Sequence, residues 1–285
     1  MDAKKEVLAV IGPTASGKTA RSIELALERD GEVISVDSRQ VYRTLDIGTE
    51  KVTTEEMQGV PHHLIDIREP EETYSAGDFV DDALRLIDEI RARDKLPILA
   101  GGTHFYFDAL VHGLPEEAPP DPRFREELEA RSAEELFAEL QTKDPRRASR
   151  MDPSNKRRLV RSLELVHRHG RVPERVQREL PFEMIWTVID PPKEELRARI
   201  DSRLASTLKR GLVDEVRGLR ERLMASLGEE RADKRLDEFG IEYRIGAEYL
   251  RGKRDEESLL PAMSAKLWQY ARHQKKWLRK LAIPN

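Results

Sequence analysis

The run GPTASGKT, Gly12 to Thr19, places glycines, a lysine and a hydroxyl at the spacing GxxxxGK[ST]. That combination holds phosphate. Glycines let backbone N–H groups wrap the oxygens, Lys18 adds a point charge, a helix starting there adds the positive end of its dipole, and the Thr19 hydroxyl can reach a magnesium ion. The motif leaves open which phosphate compound binds, ATP being the commonest. Asp37, in VISVDSRQVY, is a candidate base. Two competing roles stand beside that one: a magnesium ligand, as acids at strand ends often are in P-loop NTPases, and a turn or helix cap. Gly101-Gly102-Thr103 offers close backbone approach and a hydroxyl, although a tight strand-to-helix turn explains it equally well. Arg197, Arg199 and Arg203 can close over a bound phosphate or pair with Glu194, Glu195 and Asp201.

Positioning these groups requires a sheet. Val7 to Ile11 and Glu32 to Val36 are short apolar runs with an amphipathic stretch, Lys18 to Arg29, between them, which predicts strand, helix, strand. Ser75, with Asp78 three residues on, predicts the start of a helix running to Arg93, and Leu96 to Ala100 reads as a buried strand ending at the glycine pair. Alternating strands and helices imply a parallel sheet covered on both faces, with ligands at the carboxyl ends of its strands. Asp37 and Thr103 should then project beside the phosphate loop.

The pattern changes at Leu114 to Pro122, where four prolines in nine residues mark a boundary. Arg123 to about Arg178 reads as helices only. Glu183 to Asp190 is strand-like again, and Lys193 to Leu281 is helical with breaks near Gly211, Gly228 and Gly252. The reading is an α/β core, residues 1–115 and 181–285, carrying an inserted helical lobe, residues 116–180. The lobe is basic: Lys143 to Glu179 holds 12 Lys or Arg against 5 Asp or Glu, with Lys156, Arg157, Arg158 and Arg161 close together on one predicted helix. Such charge attracts phosphate backbones, although a solvated helix face is the commoner explanation for an isolated basic helix. From Ser258 onward six Lys or Arg occur with no acid. Trp268, Tyr270 and Trp277 there are assigned to the core by their helical spacing.

Composition narrows the classes. The 285 residues contain no cysteine, which removes disulfides, thiolate nucleophiles and cysteine-ligated metal and fits a reducing cytoplasm. No apolar run approaches the roughly 20 residues of a membrane span, so a soluble protein without membrane partners is expected. The net charge of −4 carries no global sign of nucleic-acid binding, which must be argued locally.

Read in order, GPTASGKT, DSRQVYRTLDIGTEK, PHHLIDI, YSAGDF, PILAGGTHFY, DPRFR, NKRRLVRSLEL, RIDSRLASTLKRGLVDEV and GIEYR resemble the tRNA dimethylallyltransferase family over nearly the whole chain. The P-loop alone is generic; the ordered set is specific. The resemblance implies a P-loop NTPase-like parallel sheet flanked by helices, and a phosphate loop that holds the diphosphate of dimethylallyl diphosphate with Mg2+ on Thr19. Gly12, Thr14, Ala15, Ser16, Gly17, Lys18 and Thr19 would bind that diphosphate. Lys18, Thr19 and Arg203 would neutralise its departure, and Asp37 would take the proton of the adenine N6 amine. The implied target is the adenosine 3′-adjacent to the anticodon in tRNAs reading U-starting codons. Asp37, Ser38, Arg39, Gln40 and Thr103, with Arg125, Arg157, Arg158 and Arg161 of the lobe, would hold the splayed loop. The chain resembles the compact bacterial form, read as a monomer, because it lacks the cysteines of a zinc finger. It departs from the family pattern at Arg157, where many relatives carry glutamine, and in GIEYR, Gly240 to Arg244. A P-loop small-molecule kinase, an enzyme prenylating free adenine nucleotide and a non-catalytic RNA-binding protein are the rival readings.

Overall fold

The computed structural model describes residues 6–115, 121–175 and 179–279. The proline-rich boundary at Leu114 to Pro122 lies largely outside them. The elements are β1 (Glu6–Ile11), α1 (Lys18–Arg29), β2 (Gly31–Val36), β3 (His62–His63), α2 (Ala76–Ala92), β4 (Leu96–Gly101), α3 (His104–His112), α4 (Pro122–Glu129), α5 (Ala133–Lys143), α6 (Pro145–Ala148), α7 (Lys156–His169), β5 (Glu183–Val188), α8 (Lys193–Lys209), α9 (Leu212–Leu227), α10 (Glu229–Glu238), α11 (Ile241–Leu250) and α12 (Leu259–Leu278). They divide into two compact units, Met1–Phe107 with Leu180–Asn285, and Asp108–Glu179.

The first unit is built on a five-stranded sheet of order β3-β2-β4-β1-β5, every pair parallel. β1 and β2 are buried along almost their whole length because both faces are covered, β2 including Glu32 and Ser35. α1 buries Ile23, Leu25 and Ala26, and α2 buries Phe79, Val80, Ala83, Leu86, Ile87 and Ile90, the spacing of one helical face. A capping box joins Ser75 and Asp78, so α2 begins where its sequence signature puts it. The edge strand β3, only His62–His63, carries no periodic pattern in the sequence. Among the described residues no helix is long and apolar enough to cross a membrane.

After β5 the chain is helical, with Gly211, Gly228 and Gly252 in left-handed backbone at the expected breaks and a further break at Gly240 (φ 120°). The expected burial of the α12 aromatics is met only in part: Trp268 and Trp277 are half-buried and Tyr270 is exposed. The buried face of α12 is Leu259, Met263, Ser264, Leu267, Ala271, Gln274 and Leu278. Trp268 lies under the Arg197 guanidinium, 5.7 Å from its ring, and Tyr270 is 45% exposed.

The second unit packs α4, α5 and α7 around Leu128, Leu136, Leu140, Leu159, Leu163 and Val166. Ser132 and Asn155 cap α5 and α7, and Gly170 ends α7 in left-handed backbone. Helices do not continue to Arg178: beyond Gly170 the chain is non-helical, with Arg175 bridging Pro115, and 176–178 lie outside the described residues. The buried Asp144 ties this segment in. Its carboxylate accepts from Val172 N (2.8 Å) and Arg147 N (3.0 Å), and these bonds hold its pKa low against the opposing effect of burial.

Candidate active site

Strand register places the sequence motifs side by side. Ile11 is paired with both Gly101 and Val188, and Gly101 is paired with Val36. The residues that follow, Gly12, Gly102 and Asp37, therefore leave the sheet together at its carboxyl edge. Close packing there demands glycine: a Cβ on Gly12 would meet the Ile189 carbonyl at 2.3 Å, and one on Gly101 would meet the Val36 carbonyl at 2.1 Å.

From Gly12 the loop passes through left-handed backbone at Ala15 (φ 60°) and Gly17 (φ 94°) and enters α1 at Lys18. The Lys18 ammonium donates to the Pro13 carbonyl at 2.7 Å. Burial pulls its pKa from 10.5 down to about 8, with Asp37 opposing that shift and Arg203 adding to it. The Ser16 hydroxyl is buried with no partner, and the backbone N–H groups of Ala15, Gly17, Lys18 and Thr19 carry no backbone partner among the described residues. Donors left open around a lysine that is mostly charged below pH 8 form an anion site. Thr19 is exposed on the first turn of α1. Its single hydroxyl fits a magnesium ion held mainly by substrate phosphate oxygens.

Asp37 fills the turn role. Oδ1 accepts from Arg39 N (2.8 Å) and Gln40 N (3.3 Å), the turn function, while Oδ2 is left for other chemistry. Ser38 N donates to Thr103 Oγ1 at 3.1 Å, locking the turn to the end of β4. Gln40 is spent internally: its amide accepts from Ser35 Oγ and donates to the Thr49 and Glu50 carbonyls. The negative charge of Asp37 acts on the Tyr270 hydroxyl, as does the opposing charge of Arg39; burial of that hydroxyl end, with Asp37, pushes its pKa up to about 12.

The three arginines of α8 separate. Arg197 pairs with Asp201 (3.1 Å) and donates to Ser264 (2.7 Å), away from the loop. Arg199 pairs with Glu195 and also donates to the Ser16 carbonyl at 3.1 Å. Arg203, one turn further, acts on Lys18 electrostatically, stands 3.8 Å from Glu242 and has a buried Nε with no partner. Glu242 is largely enclosed, its side chain 14% exposed, and desolvation raises its pKa against the pull of Arg203.

Several residues at the site escape motif reading. Gln274 of α12 accepts from Thr14 N (2.8 Å) and donates to the Gly102 carbonyl (2.9 Å). His104 stacks on Trp277 at 4.4 Å; burial, then the Lys18 charge, lowers its pKa to about 4 against the opposing effect of the Gly12 backbone. Glu215 accepts from the N–H groups of Asp46, Ile47 and Gly48 at 2.7–3.0 Å and from the Tyr243 hydroxyl at 2.7 Å. GIEYR thus supplies Glu242 to Arg203 and Tyr243 to the LDIGT loop, while Arg244 donates to the Asp237 carbonyl.

In the second unit, Arg125 is held by the buried Glu164 through bonds of 2.7 and 2.9 Å, and Arg161 reaches the same carboxylate at 3.3 Å. Arg157 and Arg158 are exposed on the first turn of α7.

A phosphate loop between β1 and α1, an acid on the next strand end and a wholly parallel sheet define a P-loop α/β protein. Comparison with known proteins narrows this. Residues 40–281 match the family model described as IPP transferase. A tRNA dimethylallyltransferase of Thermomicrobium roseum is 44% identical over 99% of this chain and 85% of its own length, and one from Methylococcus capsulatus is 41% identical over 96% and 89%. Among solved structures, the tRNA isopentenylpyrophosphate transferase of Bacillus halodurans superposes with TM-score 0.70 at 36% identity, covering 98% of this chain and 88% of the other. A eukaryotic dimethylallyltransferase caught acting on tRNA gives 0.82 at 30% identity, covering 98% and 71%. The chain belongs to the IPP transferase family, the tRNA dimethylallyltransferases.

Proposed function

We propose that this chain transfers a dimethylallyl group from dimethylallyl diphosphate to N6 of the adenosine 3′-adjacent to the anticodon in tRNAs reading U-starting codons, releasing diphosphate. The observation that carries the reading is the pairing of opposite chemistries at one sheet edge: open N–H donors around Lys18, and Asp37 with one carboxylate oxygen uncommitted. Family membership supplies the substrate class.

In this reading Ala15, Ser16, Gly17, Lys18 and Thr19 bind the diphosphate, with Gly12 allowing the close turn. The adenine nitrogen forms a bond to the allylic carbon as the carbon–oxygen bond to diphosphate breaks, and Asp37 Oδ2 accepts the N6 proton. Lys18 and Arg203 face the charge that grows on the leaving oxygen. Magnesium, held by Thr19 and the phosphates, would supply further neutralisation. Ser38, Arg39 and Thr103 line the turn that the extruded base approaches, since chemistry on a base takes it out of its stack. Gln40 acts indirectly, by shaping that turn. On the lobe, Arg157 and Arg158 serve the RNA backbone, and Arg125 and Arg161 do so from their shared anchor on Glu164. The absence of cysteine fits a reducing cytoplasm, and the chain is read as a monomer.

The test is purified protein with magnesium and labelled dimethylallyl diphosphate. Label should enter unmodified tRNA and not AMP. Labelling of AMP alone, or ATP hydrolysis without prenyl transfer, refutes the reading in favour of a rival.

A further inference from the structure

Gln274 sits far from every motif in sequence, yet it joins two of them. Its side chain is a buried amide on the apolar stripe of α12, 4% exposed, and both of its functional atoms are committed. Oε1 accepts the Thr14 N–H at 2.8 Å, and Nε2 donates to the Gly102 carbonyl at 2.9 Å. One turn later Trp277 stacks on His104. Two residues of the phosphate loop are thus engaged internally, the Pro13 carbonyl by Lys18 and the Thr14 N–H by Gln274. On the helix side of Thr14, the N–H groups of Ala15, Gly17, Lys18 and Thr19 carry no backbone partner among the described residues.

We infer that Gln274 is a positioning residue: it holds the phosphate loop against the β4 turn and withdraws the Thr14 amide from the anion, so that the donor diphosphate is gripped from Ala15 to Thr19 alone. This deepens the function proposed above and rests on it for the identity of the anion.

The side-chain type follows from its neighbours. A point 1.5 Å beyond Gly102 Cα, where a Cβ would sit, lies 3.0 Å from Gln274 Nε2 and 3.7 Å from the Lys18 ammonium, so the two groups crowd the same space. A carboxylate there would satisfy Thr14 but confront the Gly102 carbonyl and pair with Lys18, competing with the diphosphate. A cation would repel Lys18. An apolar side chain would leave the part-buried Thr14 N–H without its partner and the Gly102 carbonyl with the His104 N–H alone. Only a neutral group that both accepts and donates meets all three demands.

The experiment compares Gln274→Ala and Gln274→Glu with the full-length wild type. Calorimetry with inorganic diphosphate and magnesium gives Kd; prenyl-transfer kinetics give separate KM values for donor and tRNA; thermal melts report folding. For Gln274→Ala the expectation is a diphosphate Kd and donor KM raised about tenfold, the scale of one lost hydrogen-bonded contact, with the tRNA KM within about twofold. For Gln274→Glu, which keeps an acceptor for Thr14, the expectation is a melt closer to wild type but diphosphate binding weaker than in the alanine variant. A general packing role predicts the opposite order. The inference is overturned if both variants bind diphosphate within twofold of wild type, or if the donor and tRNA KM values rise together. Wild-type protein that binds diphosphate yet transfers no prenyl group to tRNA would strike the proposed function instead, leaving the binding comparison intact. Should the alanine variant fail to fold, Gln274→Glu alone decides, since its predicted loss of diphosphate affinity comes from charge.

Discussion

Lys18 makes the donor step pH-dependent in a direction that can be worked out. Burial lowers its pKa from 10.5 to about 8 in the empty protein, Asp37 opposing and Arg203 assisting. A shift of that size, at about 1.4 kcal/mol per pH unit, means that roughly 3 kcal/mol opposes keeping the ammonium charged with no anion beside it. A diphosphate returns that charge to favour, so it binds the protonated form. Below pH 8 the lysine is mostly charged and donor kcat/KM is flat; above it, donor kcat/KM falls about tenfold per unit as the charged fraction declines. At saturating donor the bound anion holds the proton, so kcat stays level further into alkali. Stability of the empty protein moves the other way. Between pH 8 and 10.5 the unfolded chain binds this proton and the folded chain does not, so the destabilisation is full below pH 8 and is relieved as pH rises through that window. The assay is initial rate against donor concentration from pH 7 to 9.5 at saturating tRNA, where a terminal phosphate with pKa near about 6 has already ionised. Lys18→Arg stays charged throughout and should show lower activity with no slope. A flat wild-type profile, or the same slope in the arginine variant, refutes the argument.

Asp37→Asn keeps a side-chain oxygen for the Arg39 and Gln40 N–H groups and removes only the base, so kcat should fall about 10²- to 10⁴-fold with tRNA affinity little changed; collapse of affinity at normal kcat would make Asp37 an RNA contact. Arg158→Ala should weaken tRNA binding and reduce the slope of log K against log salt by about one unit; an unchanged slope returns the start of α7 to a solvated surface. Gly48→Ala would put a Cβ 2.6 Å from the buried Tyr243 ring, and urea denaturation should show a loss of about 1–3 kcal/mol; wild-type stability would mean that the LDIGT loop is not pressed against α11.

The reacting face of this protein is readable because its chemistry is local. GPTASGKT needs its neighbours in sequence to turn around an anion, and DSRQ turns on its own aspartate, so adjacency and function coincide. The α12 aromatics mislead for the opposite reason. Helical spacing identifies a common face but not which face is buried, and on α12 the stripe of Met263, Leu267, Ala271, Gln274 and Leu278 outcompetes Trp268, Tyr270 and Trp277. The signal for Gln274 was present as a polar residue within that apolar stripe. What it bonds, at separations of 260 and 172 residues, no spacing rule reports. β3 was missed because two residues cannot show a period.

Three polar groups supplied by the later half of the chain bond the backbone of the earlier motifs. Glu215 takes three consecutive N–H groups of the LDIGT loop, Gln274 takes the Thr14 N–H and serves the Gly102 carbonyl, and Arg199 reaches the Ser16 carbonyl. Backbone contacts fix where a loop runs without depending on what its side chains do, so those side chains stay available to substrate. Satisfied polar networks of this kind are rigid, because releasing one bond strands a partner in a poorly solvated place. Rigidity has chemical value here. In-line displacement at an allylic carbon needs the attacking nitrogen and the leaving oxygen on one axis, and about 1 Å of misplacement costs on the order of 10²-fold in rate. A flexible glycine-rich loop cannot hold that axis by itself, and the helices beyond β5 supply the stiffness that its composition lacks.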